Sequence, residues 1–164
     1  MLALEILVVG LIGTAVLDIW QRIYERIAGL PPSNWGMIGR WVGHFPEGEF
    51  TQPDIGKAAP VPNEVPLGWL VHYVVGIGYA AVYLILMRFV FHAPPSLASA
   101  LLFGALSVSV TWFVMEPVLG AGALASRVPA DIRTRVMAQD FTSHLSIGFG
   151  IWLGTKVALR LYGM

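Results

Sequence analysis

The run from Leu97 to Met115 holds nineteen residues and no ionisable side chain. A segment like this constrains the fold more than any motif, because roughly 30 Å of hydrocarbon is crossed by about 20 helical residues at 1.5 Å rise each. Three further stretches have comparable reach, and together they predict transmembrane helices over 2–24, 67–90, 97–123 and 137–160. The fourth is the most polar of the set. It carries His144 and Lys156, and Lys156 must snorkel to the interface. The first stretch begins MLALEIL, with Glu5 and no Lys or Arg, so it reads as a retained helix rather than a secretory signal.

Composition supports an integral membrane protein: 56% of residues are hydrophobic, 12% are charged, and mean hydropathy is +0.69. Ten Lys and Arg balance ten Asp and Glu, so no net charge favours nucleic acid as a partner. The chain has no Cys, which removes disulfides and thiolate metal sites.

The expected fold is all-α, a single domain over 1–164 built as a bundle of four transmembrane helices. The HAPPS connection, with Pro94 and Pro95, forces a sharp antiparallel turn between the second and third spans. A capping loop over 25–66 separates the first two. Within it, SNWGMIGRWVGHF offers Ser33 or Asn34 as a helix cap, followed by Trp35, Ile38, Trp41, Val42 and Phe45 at helical spacing. This predicts a short interfacial helix with Trp35 and Trp41 at headgroup depth, weakened by Gly36, Gly39 and Gly43. Seven basic residues (Arg22, Arg26, Arg40, Lys57, Arg127, Arg133, Arg135) fall on the side of this loop, and three (Arg88, Lys156, Arg160) on the side of the termini. The bias places the long loop in the cytoplasm and the termini outside, in a multi-pass inner-membrane protein.

Threaded this way, each span contributes one ionisable residue at a similar depth near the loop side: Asp18, His72, Glu116 and His144. An ionisable group facing lipid costs several kcal/mol, so the four are expected to point inward and converge. Gly10 and Thr14 share a face with Asp18, Gly76 and Ala80 with His72, and Asp140 and Gly148 with His144. The bland alternative is a structural network that only fixes helix register, with Asp18 paired to Arg22 one turn away. Pro117, next to Glu116, is expected to disturb the helix there.

Two imidazoles and two carboxylates suit a divalent metal, held by Asp18, His72, Glu116 and His144. The same pocket would otherwise take a small ligand, with Arg40 and His44 folding back from the loop to close it. Other readings are haem with His72 and His144 as axial ligands, proton or cation movement, and an enzyme with His72 or His144 as general base. From a different class comes an accessory or assembly subunit of a membrane complex, or a homo-oligomer, whose polar residues only lock helices.

NWGMIGRWVGHFPEG, IGKAAPVPNEVPLGWLVHYVVGIGYA, EPVLGAGALASRVP and SHLSIGFGIWLG together resemble the bacterial integral-membrane family designated domain of unknown function 2938. The resemblance runs over nearly the whole chain and implies a small bacterial four-helix membrane protein. It implies no activity and carries over no catalytic or binding residue.

Overall fold

The structure is a computed structural model that describes residues 1–162. Its described part is all-α with no strand, and contains five helices besides short single turns: α1 (Leu2–Ala28), α2 (Trp35–Gly43), α3 (Glu64–Val90), α4 (Leu97–Val118) and α5 (Ala130–Tyr162). Three of them, α1, α3 and α4, are long and apolar enough to cross a membrane. The 33-residue α5 falls short of that mark, with Asp140, His144, Lys156 and Arg160 spread along it.

Local chemistry sets the ends of these helices. α1 runs four residues beyond the expected end and stops at Gly29, whose φ of 69° suits a left-handed C-terminal residue. Ser96 and Ser99 form a reciprocal capping box that opens α4 straight after the two prolines. α4 ends at Val118 rather than 123 because the chain turns through Gly120 and Gly122, with φ of 93° and 75°. α5 starts at Ala130 rather than 137: Pro129 precedes it and Asp131 sits in its first turn, so residues 130–136, expected between the spans, are helical.

Pro117 leaves its mark one turn upstream. Residues Thr111–Met115 form a π-helical turn, in which the Glu116 N–H bonds the Thr111 carbonyl five residues back. A second π turn, Leu86–Val90, closes α3.

α1 packs between α3 and α5, α5 also packs on α4, and α2 lies on the start of α3. The seams run through glycine. Gly13 meets Gly150 between α1 and α5, Gly104 meets Gly148 between α4 and α5, and Gly76 accepts Thr14 between α3 and α1. Lipid tails supply no hydrophobic drive for helices to associate, so close backbone approach and dispersion must hold them. A Cβ at Gly39 or Gly68 would collide with the facing backbone of α3 or α2, so the glycines expected to weaken α2 are what seat it. Val9, Tyr83, Leu84, Ile147 and Ile151 fill the interior, whereas Ile19, Leu70, Val74, Leu102 and Leu106 face outward.

Candidate functional site

The four ionisable residues expected to converge are divided by the structure into three groups. Asp18 and His72 do meet: His72 Nε2 lies 2.9 Å from Asp18 Oδ1, and the Tyr73 hydroxyl donates to Asp18 Oδ2 at 3.0 Å. His72 is buried and Asp18 is partly exposed. Arg22, the bland partner for Asp18, instead reaches Glu25 at 3.7 Å on the surface. Trp35 comes from the first turn of α2 and stacks on the His72 ring, with centroids 3.7 Å apart and planes 17° from parallel. The ring expected among headgroups is therefore a lid over the histidine.

His144 belongs to the seam between α4 and α5. Its Nδ1 lies 2.8 Å from Ser107 Oγ and its Nε2 2.9 Å from Thr111 Oγ1, while the Ser107 hydroxyl donates to the Gly104 carbonyl. One proton arrangement satisfies the whole chain: Thr111 donates to Nε2, Nδ1–H donates to Ser107, and Ser107 donates to Gly104. Both ring nitrogens are then occupied. The structure thus places His144 with Ser107 and Thr111 rather than beside Asp18, His72 or Glu116.

Glu116 is buried at the end of the π turn and accepts a 2.5 Å hydrogen bond from the Ala125 N–H. Leu124 and Ala125 both carry positive φ, so a left-handed turn aims that N–H at the carboxylate. Asp140, from α5, is a near neighbour of the Glu116 carboxyl. Asp140 Oδ2 and the nearby Trp112 Nε1 are each shut off from solvent without a hydrogen-bond partner. Two neighbouring carboxyl groups in a low dielectric need positive charge beside them, supplied by a shared proton or a bound cation. Asp140 was visible in the sequence on the face of His144, yet its partner proves to be Glu116.

Arg40 and His44 do not reach these side chains. Arg40 forms a bidentate pair with Glu64, Nε to Oε2 and Nη2 to Oε1 at 2.8 Å each, and Nη1 donates to the carbonyls of Ala58 at 3.2 Å and Ile55 at 3.4 Å. Its hydrogen bonds to the Glu64 carboxylate raise its already high pKa further. The guanidinium is a clamp between the loop and α3 rather than a free anion site. Further along, the backbone N–H groups of Gln52 and Ile55 donate to the carbonyls of Val118 and Leu119, at 2.7 and 3.1 Å, just past Glu116. The segment between α1 and α3 thus packs over two places: Trp35 covers His72, and 52–55 is tied to the end of α4.

His44 is buried in the loop, with Nε2 at 3.0 Å from the Ala59 carbonyl and Nδ1 at 3.0 Å from Glu47 Oε2 and 3.7 Å from Glu49 Oε2. Glu47 first, and the Ala59 carbonyl next, raise its pKa above the ordinary histidine value. The imidazolium therefore ties the loop most firmly below that ordinary value, and the tie is lost as pH rises through the raised one. Glu47 and Glu49 were not singled out from the sequence, although His44-Phe-Pro-Glu47 puts them one helical turn apart.

Two surface grooves accompany these groups. One of about 380 Å³ lies among Leu84, Met87, Arg88, His92 and the Ala93–Pro95 corner. The other, about 430 Å³, runs between Val16, Ile19, Trp20 and Ile23 of α1 and Leu145 and Phe149 of α5. Neither is lined by Asp18, Arg40, His44, His72, Glu116 or His144.

No curated protein and no solved structure matches the chain. A family model described as protein of unknown function (DUF2938) matches residues 7–158, from within α1 to near the end of α5, and so takes in every group described above. By that match the chain belongs to the DUF2938 family.

Proposed function

We propose that this is a small bacterial inner-membrane protein, a single domain of four transmembrane helices, that binds a cation between Glu116 and Asp140 beneath the cytoplasmic first loop. The placement of the two acids carries the reading: Glu116 and Asp140 are neighbours between α4 and α5, with Asp140 Oδ2 shut off from solvent, a setting that favours positive charge beside them. Membership in the family supplies no activity, so the site alone argues the function. α5 supplies the fourth span. At 33 residues it is about 50 Å long, and its polar groups face α1 and α4 or, as Lys156 and Arg160, reach an interface. The excess of Lys and Arg on the loop side supports a cytoplasmic loop with both termini outside.

In this reading Asp18 and His72 are a second polar pair, and Trp35 must swing away before the stacked face of His72 meets a ligand. The test is labelling with a hydrophobic carbodiimide, to which a protonated carboxyl in an apolar setting adds, its proton going to nitrogen and its oxygen to the central carbon. Labelling at Glu116 or Asp140 that a cation slows supports the site, and labelling that ignores every cation tested rejects it. One observation favours a second reading, an accessory subunit of a membrane complex: the groove on α1 and α5 is lined almost wholly by apolar side chains facing the lipid. A stoichiometric membrane partner that is lost on widening Leu145 to Trp would support it.

A further inference from the structure

The segment His44-Phe-Pro-Glu-Gly-Glu49 brings three metal-ligating side chains together outside the membrane-spanning helices. One ligand atom from each of His44, Glu47 and Glu49 lies within 4.8 Å of the other two. His44 Nδ1 is 3.0 Å from Glu47 Oε2 and 3.7 Å from Glu49 Oε2. Ligands about 2.0–2.1 Å from a tetrahedral metal stand roughly 3.3 Å apart, so these spacings need only small rotations to close on an ion.

The cluster is more than exposed acids. His44 is 6% exposed, and the Ala59 carbonyl takes its Nε2–H. In the neutral ring this leaves the Nδ1 lone pair facing two carboxylates, and a backbone carbonyl fixing the tautomer is the usual second contact of a metal-bound histidine. The acids are held too. The His44 carbonyl accepts the N–H groups of both Glu47 and Glu49, and the buried Gln52 amide donates to Glu49 Oε2 at 2.8 Å. Both carboxylates remain open to water, 65% and 54% exposed, which gives an ion an entry path and water for its remaining positions.

We infer that His44, Glu47 and Glu49 form a divalent-metal site that fastens the first loop over the end of α4. One imidazole nitrogen with two carboxylates selects borderline ions of the Zn²⁺ kind over Mg²⁺ or Ca²⁺, which prefer all-oxygen shells. The link to α4 is direct: Gln52, which holds Glu49, donates its own N–H to the Val118 carbonyl. This site is separate from the Glu116–Asp140 pair, and the two stand or fall independently.

The test uses full-length protein in detergent, stripped with a chelator and dialysed against Zn²⁺ in excess Mg²⁺ near pH 7.5. One zinc ion per chain is expected, with X-ray absorption showing a single imidazole in its shell. Binding should vanish in Glu47→Gln/Glu49→Gln while the helix content stays at the wild-type level, and should persist in Glu116→Gln and Asp140→Asn. Protein that binds no zinc saturably, its His44 simply an imidazolium paired with Glu47, overturns the site. So does zinc that survives Glu47→Gln/Glu49→Gln but is lost in Asp140→Asn, an outcome that moves the ion into the membrane pair instead.

Discussion

If the polar residues form separate groups, Asp18 and His72 must be energetically coupled while His72 and His144 are not. Two double-mutant cycles measure this, one with Asp18→Ala and His72→Ala and one with His72→Ala and His144→Ala. A hydrogen bond to a charged partner contributes about 1.5–3 kcal/mol in soluble proteins, but cycles within bilayers average roughly 0.6 and reach about 1.7. Asp18 keeps 22% of its side chain exposed and also holds Tyr73, so losing His72 does not strand it in hydrocarbon. The expected coupling is therefore near the upper end of the bilayer range, about 1–1.7 kcal/mol. His72→Ala alone should cost more, since stacking on Trp35 adds roughly 0.5–1.5 kcal/mol. For His72 and His144 the single effects should add to within about 0.5 kcal/mol. The assay is reversible unfolding in mixed micelles of increasing denaturing-detergent fraction. Coupling of His72 to His144 as large as that of His72 to Asp18 would mean one shared pocket, and the partition would be refuted.

Removing a hydroxyl beside His144 should be costly: Ser107→Ala or Thr111→Val leaves a half-buried ring nitrogen unpaired, a loss of about 1 kcal/mol, and combining either with His144→Met should recover part of it in the same assay. Gly39→Leu should push α2 off α3 and unstack Trp35 from His72, read as a change in tryptophan emission and faster amide exchange over 35–43, while helix content stays near wild type. The Asp54 carboxyl is held below its ordinary pKa chiefly by the Lys57 hydrogen bond, so the 54–57 turn is intact above the ordinary carboxylate value and opens as pH falls through the lowered one. Faster exchange of the Gly56 amide, which donates to Asp54, would report that opening.

How much of this was legible in the sequence differs from element to element. The α4 span was plain from a run without ionisable residues, and α2 from Asn34 followed by apolar residues at helical spacing; Asn34 Oδ1 does accept the Gly36 N–H at 3.0 Å. The glycines of α2 were counted by intrinsic propensity, which knows nothing of a facing helix that only Gly39 and Gly68 allow so near. Depth along each helix could be counted, and so Asp18 and His72 were matched. The direction a side chain faces around its helix could not. A π turn inserts an extra residue per turn, and the one at Thr111–Met115 changes the facing of everything after it. Glu116, after the turn, neighbours Asp140 of α5, while His144, one turn further along α5, bonds Ser107 before the turn and Thr111 at its start.

The most direct measurement of the proposed activity is the rate of carbodiimide labelling at Glu116 and Asp140 with Na⁺, Mg²⁺, Mn²⁺ or Zn²⁺ present one at a time. It is made in the Glu47→Gln/Glu49→Gln background, so that an ion on the loop plays no part. If the pair binds a cation, mass spectrometry will find the label on one of these two residues, at least one of the ions will slow it, and Asp140→Asn will abolish that protection. Labelling unchanged by every ion, or absent from both residues, would contradict the account and leave the acid pair as a structural contact between α4 and α5.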